Sequence, residues 1–487
     1  MSGITSPSDS AILSQELCDS VIDFVASSPC CLDYDPDDRL SDLKACSLVS
    51  RGWRTRAAGY LFKSITLPSP VFTRVKWVGR NSSLSSEQET ILKTHALTRL
   101  REAVQPGGVF SHNSTALHLV QEVTLNFLAS ADFFEQVRPL LEQIPFTPNQ
   151  LRAITFDRVV TTNSFLSYLS ALLLNNNYSI QRISVLEMML TLRGFSEQSF
   201  FDHVMMLGNS FPPLPNLEHL YIQNLDMDDA LSAGNDRGSD DEDAAFSAIP
   251  PVLPRPRPRI ITVDIDDQMG ATLTGEILFN PERAFLDLTR MEELRLTHYE
   301  YELNAHTRLL MAGGDSLRRF SVRVVNKPGA HRALFFAPSQ DQIREDTKII
   351  NDLPTHAPDL THVRAHIDLG YFRSEQFIRG LPDIQALRFL RVLEIKAEAK
   401  IPLAEWDPSS SGPSSSWDLI KTRLTSLDES LDGLSRNTMS ISLAEIMVAV
   451  KVKGASLLEV EPFIDSCFTR MTLRSSPSFV LTIEEEL

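Results

Sequence analysis

The sequence predicts an α/β protein: a short N-terminal unit of three helices, then an irregular array of repeats that each hold one strand and one helix. Three observations predict this. Apolar residues recur at helical spacing through the first 67 residues. Beyond them, an apolar-x-x-apolar-x-apolar template returns nine times. The 487 residues are 43% hydrophobic and 22% charged, a composition that can fill a large core.

Residues 1–10 are polar and are expected to be disordered. Leu13, Leu17 and Val21 recur every fourth residue, with Ile22 and Val25 beside them, so 11–26 reads as an amphipathic helix. Ser8 and Ser10 offer caps for its start. The turn-rich stretch SSPCCLDYDPDDR ends in acids suited to a second helix start. That helix, 39–50, carries Leu40, Leu43, Ala45, Cys46, Leu48 and Val49 around most of its circumference, so burial on nearly all sides is expected. Gly52 is expected to break it in a left-handed conformation. A third helix follows at 53–62. Ser64–Leu67 then alternates as a strand, which Pro68 stops. The unit, residues 11–67, is too small to bury its own apolar faces and needs a partner surface.

Residues 68–487 carry the repeat. The template fits Val120-Val123-Leu125, Leu151-Ile154-Phe156, Ile180-Ile183-Val185, Leu217-Leu220-Ile222 and Ile260-Val263-Ile265. It returns at Met291-Leu294-Leu296, Leu317-Phe320-Val322, Leu360-Val363-Ala365 and Leu390-Leu393-Ile395. Successive central positions lie 26 to 43 residues apart, room for one strand and one helix. Segments between them look helical, such as 165–174 and 196–207. A lone strand-helix pair cannot bury its apolar face, so such units stack. The expected fold is an irregular leucine-rich-repeat-like solenoid, although the asparagine column of regular repeats is reduced to Asn224 and Asn326. The competing reading is an ordinary α/β domain.

Two segments interrupt the array. Residues 226–258 form an acidic, Pro-rich insertion, expected to be a solvated loop with a polyproline tail. Its SDDED run puts Ser239 in an acidic context, and PPVLPRPRPR could serve as a Pro-rich ligand. Residues 407–417 form a Ser-rich linker. Afterwards 442–452 reads as a helix and 479–483 as a strand that caps the array.

Composition excludes several function classes. A net charge of −17 argues against general nucleic-acid binding and against an anionic membrane surface. No apolar run approaches bilayer length, and the first residues lack a signal-peptide layout. An intracellular location, cytoplasmic or nuclear, is expected. The five cysteines are unevenly placed and read as reduced structural thiols. The chemistry-bearing motifs are missing: no phosphate loop, no dinucleotide fingerprint, no nucleophile elbow, no H-E-x-x-H. His362 and His366 are four apart, but HVRAH reads as a strand, where that spacing does not chelate. No cofactor and no catalytic activity are expected.

The N-terminal helices resemble the F-box family. The matching stretches are LSQEL from Leu13, VIDF from Val21, and above all LKACSLVSRGW from Leu43; the tail YLFKSITL from Tyr60 is similar to F-box proteins of mushroom-forming fungi. Ser14 stands where the family carries proline, and 27–38 lengthens the first loop. The resemblance covers about 55 residues. It implies the substrate-recognition subunit of a Skp–cullin–F-box ubiquitin ligase, with a Skp-type adaptor on the helices and a protein substrate on the array. By position, Leu13, Leu17 and Ile22 would line one part of the adaptor contact, and Leu43, Leu48 and Val49 another; each could equally pack the helices together. Trp53 and Phe62 are assigned to the internal side, packing the helical unit onto the first repeat. The alternative is a repeat-based protein-interaction scaffold without a ubiquitin role, its helices a cap for the array.

Overall fold

The structure is a computed structural model. It describes residues 19–23, 36–49, 51–68, 86–111, 116–186, 188–190, 212–223, 225–227, 255–264, 286–298, 310–324, 352–370, 373–400, 416–436, 443–453, 457–474 and 477–486. The chain divides into two compact units, Met1–Asp157 and Arg158–Leu487. Mixed α/β architecture with a large parallel sheet is observed, and its strand order closes no barrel.

In the first unit, residues 19–23 are helical, followed by α1 (Pro36–Val49), α2 (Arg51–Leu61), β1 (Ser64–Leu67), α3 (Ser86–Val104), β2 (Glu122–Asn126), α4 (Ala131–Leu141) and β3 (Ala153–Asp157). Its strands pair in parallel in the order β1-β2-β3. Gly52 sits within α2 and does not take the left-handed conformation expected of it.

The second unit opens with β4 (Val159–Thr161), α5 (Asn163–Asn175), β5 (Arg182–Val185) and β6 (Met188–Leu190). Next come β7 (His219–Ile222), β8 (Leu225–Met227), β9 (Ile260–Asp264), β10 (Glu293–His298), β11 (Arg319–Val324) and β12 (His362–Asp368). It ends with α6 (Arg373–Gly380), β13 (Val392–Lys400), α7 (Ser416–Arg436), β14 (Glu445–Lys453), α8 (Leu457–Cys467) and β15 (Ser478–Glu486). Nine of these strands run parallel in the order β5-β7-β9-β10-β11-β12-β13-β14-β15. Short β4, β6 and β8 form a second parallel sheet that periodicity did not foretell. Three residues are too few to alternate.

The register is strict. Ile183, Leu220, Ile261, Leu294, Phe320, Val363, Leu393, Ile446 and Phe479 occupy one row across the nine strands. All but Phe479 are buried. A second buried row runs from Val185 through Val263 and Ile395 to Val448. One backbone device recurs at seven of the eight steps; at the last, Ala444 O accepts only Ser478 N–H, because Pro477 has no N–H to give. The carbonyl of Gln181 accepts both Glu218 N–H and His219 N–H, at 2.8 and 3.0 Å. Glu218, Arg259, Glu292, Arg318, Thr361 and Arg391 each do the same for the following strand. In the first unit Lys63 and Gln121 play this part for β2 and β3.

Several expectations are corrected. Ile261, not Val263, holds the central row of its repeat, and Ile260 faces the other way. The stretch 442–452 is not a helix but β14: Ile446, Val448, Val450 and Val452 are buried while Glu445 and Lys451 are not. Strict alternation is the strand period, and it prevails over the local Ala and Glu helix formers. The insertion's last residues are packed, with Pro256 and Pro258 buried, and Asp226 and Met227 belong to β8. Asn126 is buried at the end of β2, donating to Asp157 Oδ2 at 2.7 Å and accepting from Leu128 N–H at 3.0 Å, a polar step that the search for asparagines missed. Helix 165–174 is observed as α5 and strand 479–483 as β15. Helix 196–207, Asn224, Asn326, residues 1–10, Ser239 and residues 407–415 lie outside the described residues.

Near its end the second unit is fastened by two aspartates of α7. Asp428 accepts the backbone N–H of Arg470 and Met471 at 3.0 and 2.9 Å. Asp432, nearly fully buried, pairs with Arg436 at 2.6 Å and with Arg474 Nε at 2.8 Å. Burial pushes the Asp432 carboxyl up, but the hydrogen bonds from Arg474 and Arg436 outweigh it and hold the group below the usual carboxylate range. A depressed folded pKa gives stability above the unfolded value, roughly pH 4, that is lost as pH falls through the folded one. Thermal melts should therefore show Asp432→Asn less stable than the parent at pH 7 and the two converging as pH falls below about 4. A gap that stays constant with pH would contradict the pairing.

Candidate protein-interaction surfaces

The N-terminal unit is assembled around Ile22, Leu43 and Ala57, against which Cys46, Trp53, Tyr60 and Leu61 pack. A polar clasp joins the first helical stretch to α2. Asp23 accepts Arg56 Nε at 2.8 Å, Arg56 Nη2 at 2.7 Å and the Tyr60 hydroxyl at 3.0 Å. The Arg56 guanidinium lies 5.9 Å from the centre of the Tyr60 ring. Hydrogen bonding from Arg56 holds the Asp23 carboxyl below its ordinary range. Arg54 Nε donates to Ser47 O at 3.2 Å and ties α2 to the end of α1.

The six residues assigned by position to an adaptor contact separate into three pairs. Ile22 and Leu43 are 0% and 3% exposed and fill the unit's own core, so in this arrangement neither reaches a partner. Leu48 and Val49 are 79% and 64% exposed. Leu13 and Leu17 lie outside the described residues. The expectation that this helix is buried on nearly all sides is thus corrected: Lys44, Ala45, Leu48 and Val49 form an exposed face one helical turn long. Trp53 is half-buried against the helices' own core, whereas Phe62 is exposed rather than internal, because it stands just past the end of α2 in a turn.

In the second unit, the exposed face of the nine strands is a lattice of paired polar groups. Glu293 receives Arg295 at 2.6 Å and Arg319 at 3.3 Å. Arg364 meets Glu394 at 2.6 Å, and His366 Nε2 lies 3.5 Å from Glu398. His219 meets the Thr262 hydroxyl at 2.9 Å, and the Tyr221 hydroxyl donates to Asp264 at 3.4 Å. Burial, reinforced by Arg323, pushes the His366 imidazole down despite Glu398, so it is neutral at pH 7. His362 and His366 share a face of β12 four residues apart, roughly 13 Å, which is too far for both to ligate one ion. Among the described residues no three His, Cys, Asp or Glu side chains form a metal-ligating group. Cys46 and Cys467 are free, and burial pushes the Cys467 thiol up. No helix among the described residues is long and apolar enough to cross a membrane.

The chain matches no protein-family model and no curated protein.

The separation between core and surface pairs is measurable. Chemical denaturation should show Ile22→Ala or Leu43→Ala costing about 2–5 kcal/mol, as buried aliphatic truncations do. Leu48→Ala and Val49→Ala should stay within about 0.5 kcal/mol of the parent. Equal losses at all four positions would contradict the packing described.

Proposed function

We propose that this chain is a non-catalytic substrate-recognition subunit of a Skp–cullin–F-box ubiquitin ligase. The N-terminal helices would bind a Skp-type adaptor, and the strand array of the second unit would bind a protein substrate. The observation that carries the reading is the adjacent exposed pair Leu48 and Val49, on a helix whose Leu43 is locked into the core. Two large aliphatic side chains left in water on a small helical unit gain free energy when a partner covers them. The pair falls within the stretch LKACSLVSRGW that resembles the F-box family.

The reading of the second unit as an irregular leucine-rich solenoid is supported by its regular registers. Nine parallel strands follow one another with the apolar rows aligned, and seven successive steps repeat the two-donor carbonyl. At four of the second unit's templates a buried apolar residue three positions earlier, Leu214, Leu288, Ala357 or Leu387, extends the repeat. Solvent-facing rows of paired charges suit recognition of a protein surface, since their donors and acceptors are spread over a face rather than converging on one atom.

One observation favours a second reading, an interaction scaffold with no ubiquitin role. Ile22 and Leu43 are spent on the unit's own core, which leaves a smaller apolar surface for an adaptor.

The deciding experiment is co-expression of the full chain with a Skp-type adaptor, followed by size-exclusion chromatography, for the parent and for a Leu48→Asp/Val49→Asp variant. The parent should co-elute with the adaptor in equal amounts. The variant should fold, because both positions are exposed, and should bind on the order of 100-fold more weakly, the scale of an interface hot spot. A parent that elutes alone would favour the scaffold, and a folded variant that still co-elutes would sink the interface assignment.

A further inference from the structure

Five arginines line one cleft of a chain whose net charge is −17. The cleft, about 1280 Å³, runs along the starts of β5, β7, β9, β10 and β11. Three of the arginines come from the run PRPRPR that precedes β9. Pro256 and Pro258 are buried, while Arg255, Arg257 and Arg259 are exposed. Proline fixes the backbone dihedral, and alternate residues of an extended segment project to one side. The result is a comb of guanidiniums repeating at roughly 6.6–6.8 Å, twice the rise of an extended chain. Arg290 and Arg318 continue the positive lining beyond the comb.

These side chains are not equally engaged. Arg259 makes a two-point pair with Glu292, at 3.1 and 2.6 Å. Arg257 meets Asp287 at 2.6 Å and Arg318 meets Asp359 at 3.0 Å. Arg255 and Arg290 meet no carboxylate among the described residues. Glu218 and Glu292 are the acids of the lining, so the walls stay positive on balance. Glu218, Arg259, Glu292 and Arg318 also supply the carbonyls that bind the strands together, which fixes the backbone from which these side chains project.

We propose that this cleft binds an extended acidic peptide segment of a partner protein, with Arg255 and Arg290 as its principal anion contacts. Five strand starts at a spacing of about 4.8 Å span roughly 19 Å, the length of about six extended residues. Acidic groups at alternate positions of such a peptide repeat at the spacing of the arginine comb. Guanidinium groups suit carboxylate and phosphate oxygens alike, through paired N–H donors. A nucleic acid fits less well. The chain's overall charge repels a long polyanion, and Tyr178, 66% exposed, is a single ring where single-strand binders stack several bases. The inference deepens the proposed function, because it gives the substrate class of the array and rests on reading that array as the receptor.

The test is fluorescence anisotropy on the purified full chain without adaptor, so its outcome is independent of adaptor binding. The probes are a labelled peptide of alternating Thr and Glu, its Gln counterpart, a version with phosphoserine for Glu, and oligouridine. The acidic peptide should bind more tightly than its Gln counterpart and weaken as salt rises above about 0.1 M. Arg255→Glu/Arg290→Glu should weaken binding roughly tenfold or more, and Arg255→Ala/Arg290→Ala less, with unchanged thermal melting. The tighter of the Glu and phosphoserine peptides identifies the anion preferred. A companion variant, Asp240→Asn/Asp241→Asn/Glu242→Gln/Asp243→Asn, tests whether the chain's own acidic run competes with the peptide. The proposal is overturned if neither peptide binds the parent or this variant, if binding survives the charge reversal, or if oligouridine binds more tightly than both peptides. Peptide failure beside intact adaptor co-elution would leave the receptor reading standing.

Discussion

A single backbone acceptor sets the geometry of the second unit. At seven of its eight steps the carbonyl just before one strand takes two N–H donors from the start of the next. Each buried or half-buried amide left unmet would cost free energy, so a register that satisfies both is strongly preferred over its neighbours. With the strand starts aligned, Leu294 falls beside Phe320 and Phe320 beside Val363, and the apolar rows become continuous. The two small steps of the first unit, at Lys63 and Gln121, obey the same rule. Alternate residues then face solvent, which produces both the paired charges of the strand face and the arginines above the strand starts.

Polar locks complete what the rows begin. Asp428 meets two backbone amides that would otherwise be lost where the chain leaves α8, and Asp432 holds two arginines beside it. At the other end of the chain, Asp23 holds the first helical stretch to α2 through Arg56 and Tyr60. The first lock is buried and the second exposed, so the same chemistry contributes more to stability at Asp428 than at Asp23. Leu48 and Val49 stand apart from these arrangements. They contribute nothing to the unit's core.

Much of this was legible in the residues, for identifiable reasons. Seven template copies in the second unit predict seven of the nine strands of its large sheet, since apolar periodicity reports which face is buried. It reports register less well. At Ile260-Ile261-Thr262-Val263 either of two alignments two residues apart buries the same face, and the choice is made by the Glu218 carbonyl, which no side-chain pattern reveals. Helix α7 went unread although Ile420, Leu424, Leu427, Leu431 and Leu434 repeat at helical spacing; the Ser-rich run before it suggested only a linker. The arginine cleft was masked differently. PRPRPR looks like a polyproline tail, and only the burial of Pro256 and Pro258 turns its arginines into an ordered comb. At the N-terminus, the resemblance located the helices but could not tell Leu43 from Leu48, because five residues along one helix separate a core position from a surface one.

The central claim is that register is held by the paired donors at each strand start. Hydrogen–deuterium exchange of the native chain, resolved to single amides, tests it directly. The account predicts that Ile260, Glu293, Arg319, His362 and Val392 N–H are protected as strongly as the middles of their strands, and lose protection together when denaturant is added. Fast exchange at these strand starts beside slow exchange in the strand middles would contradict it.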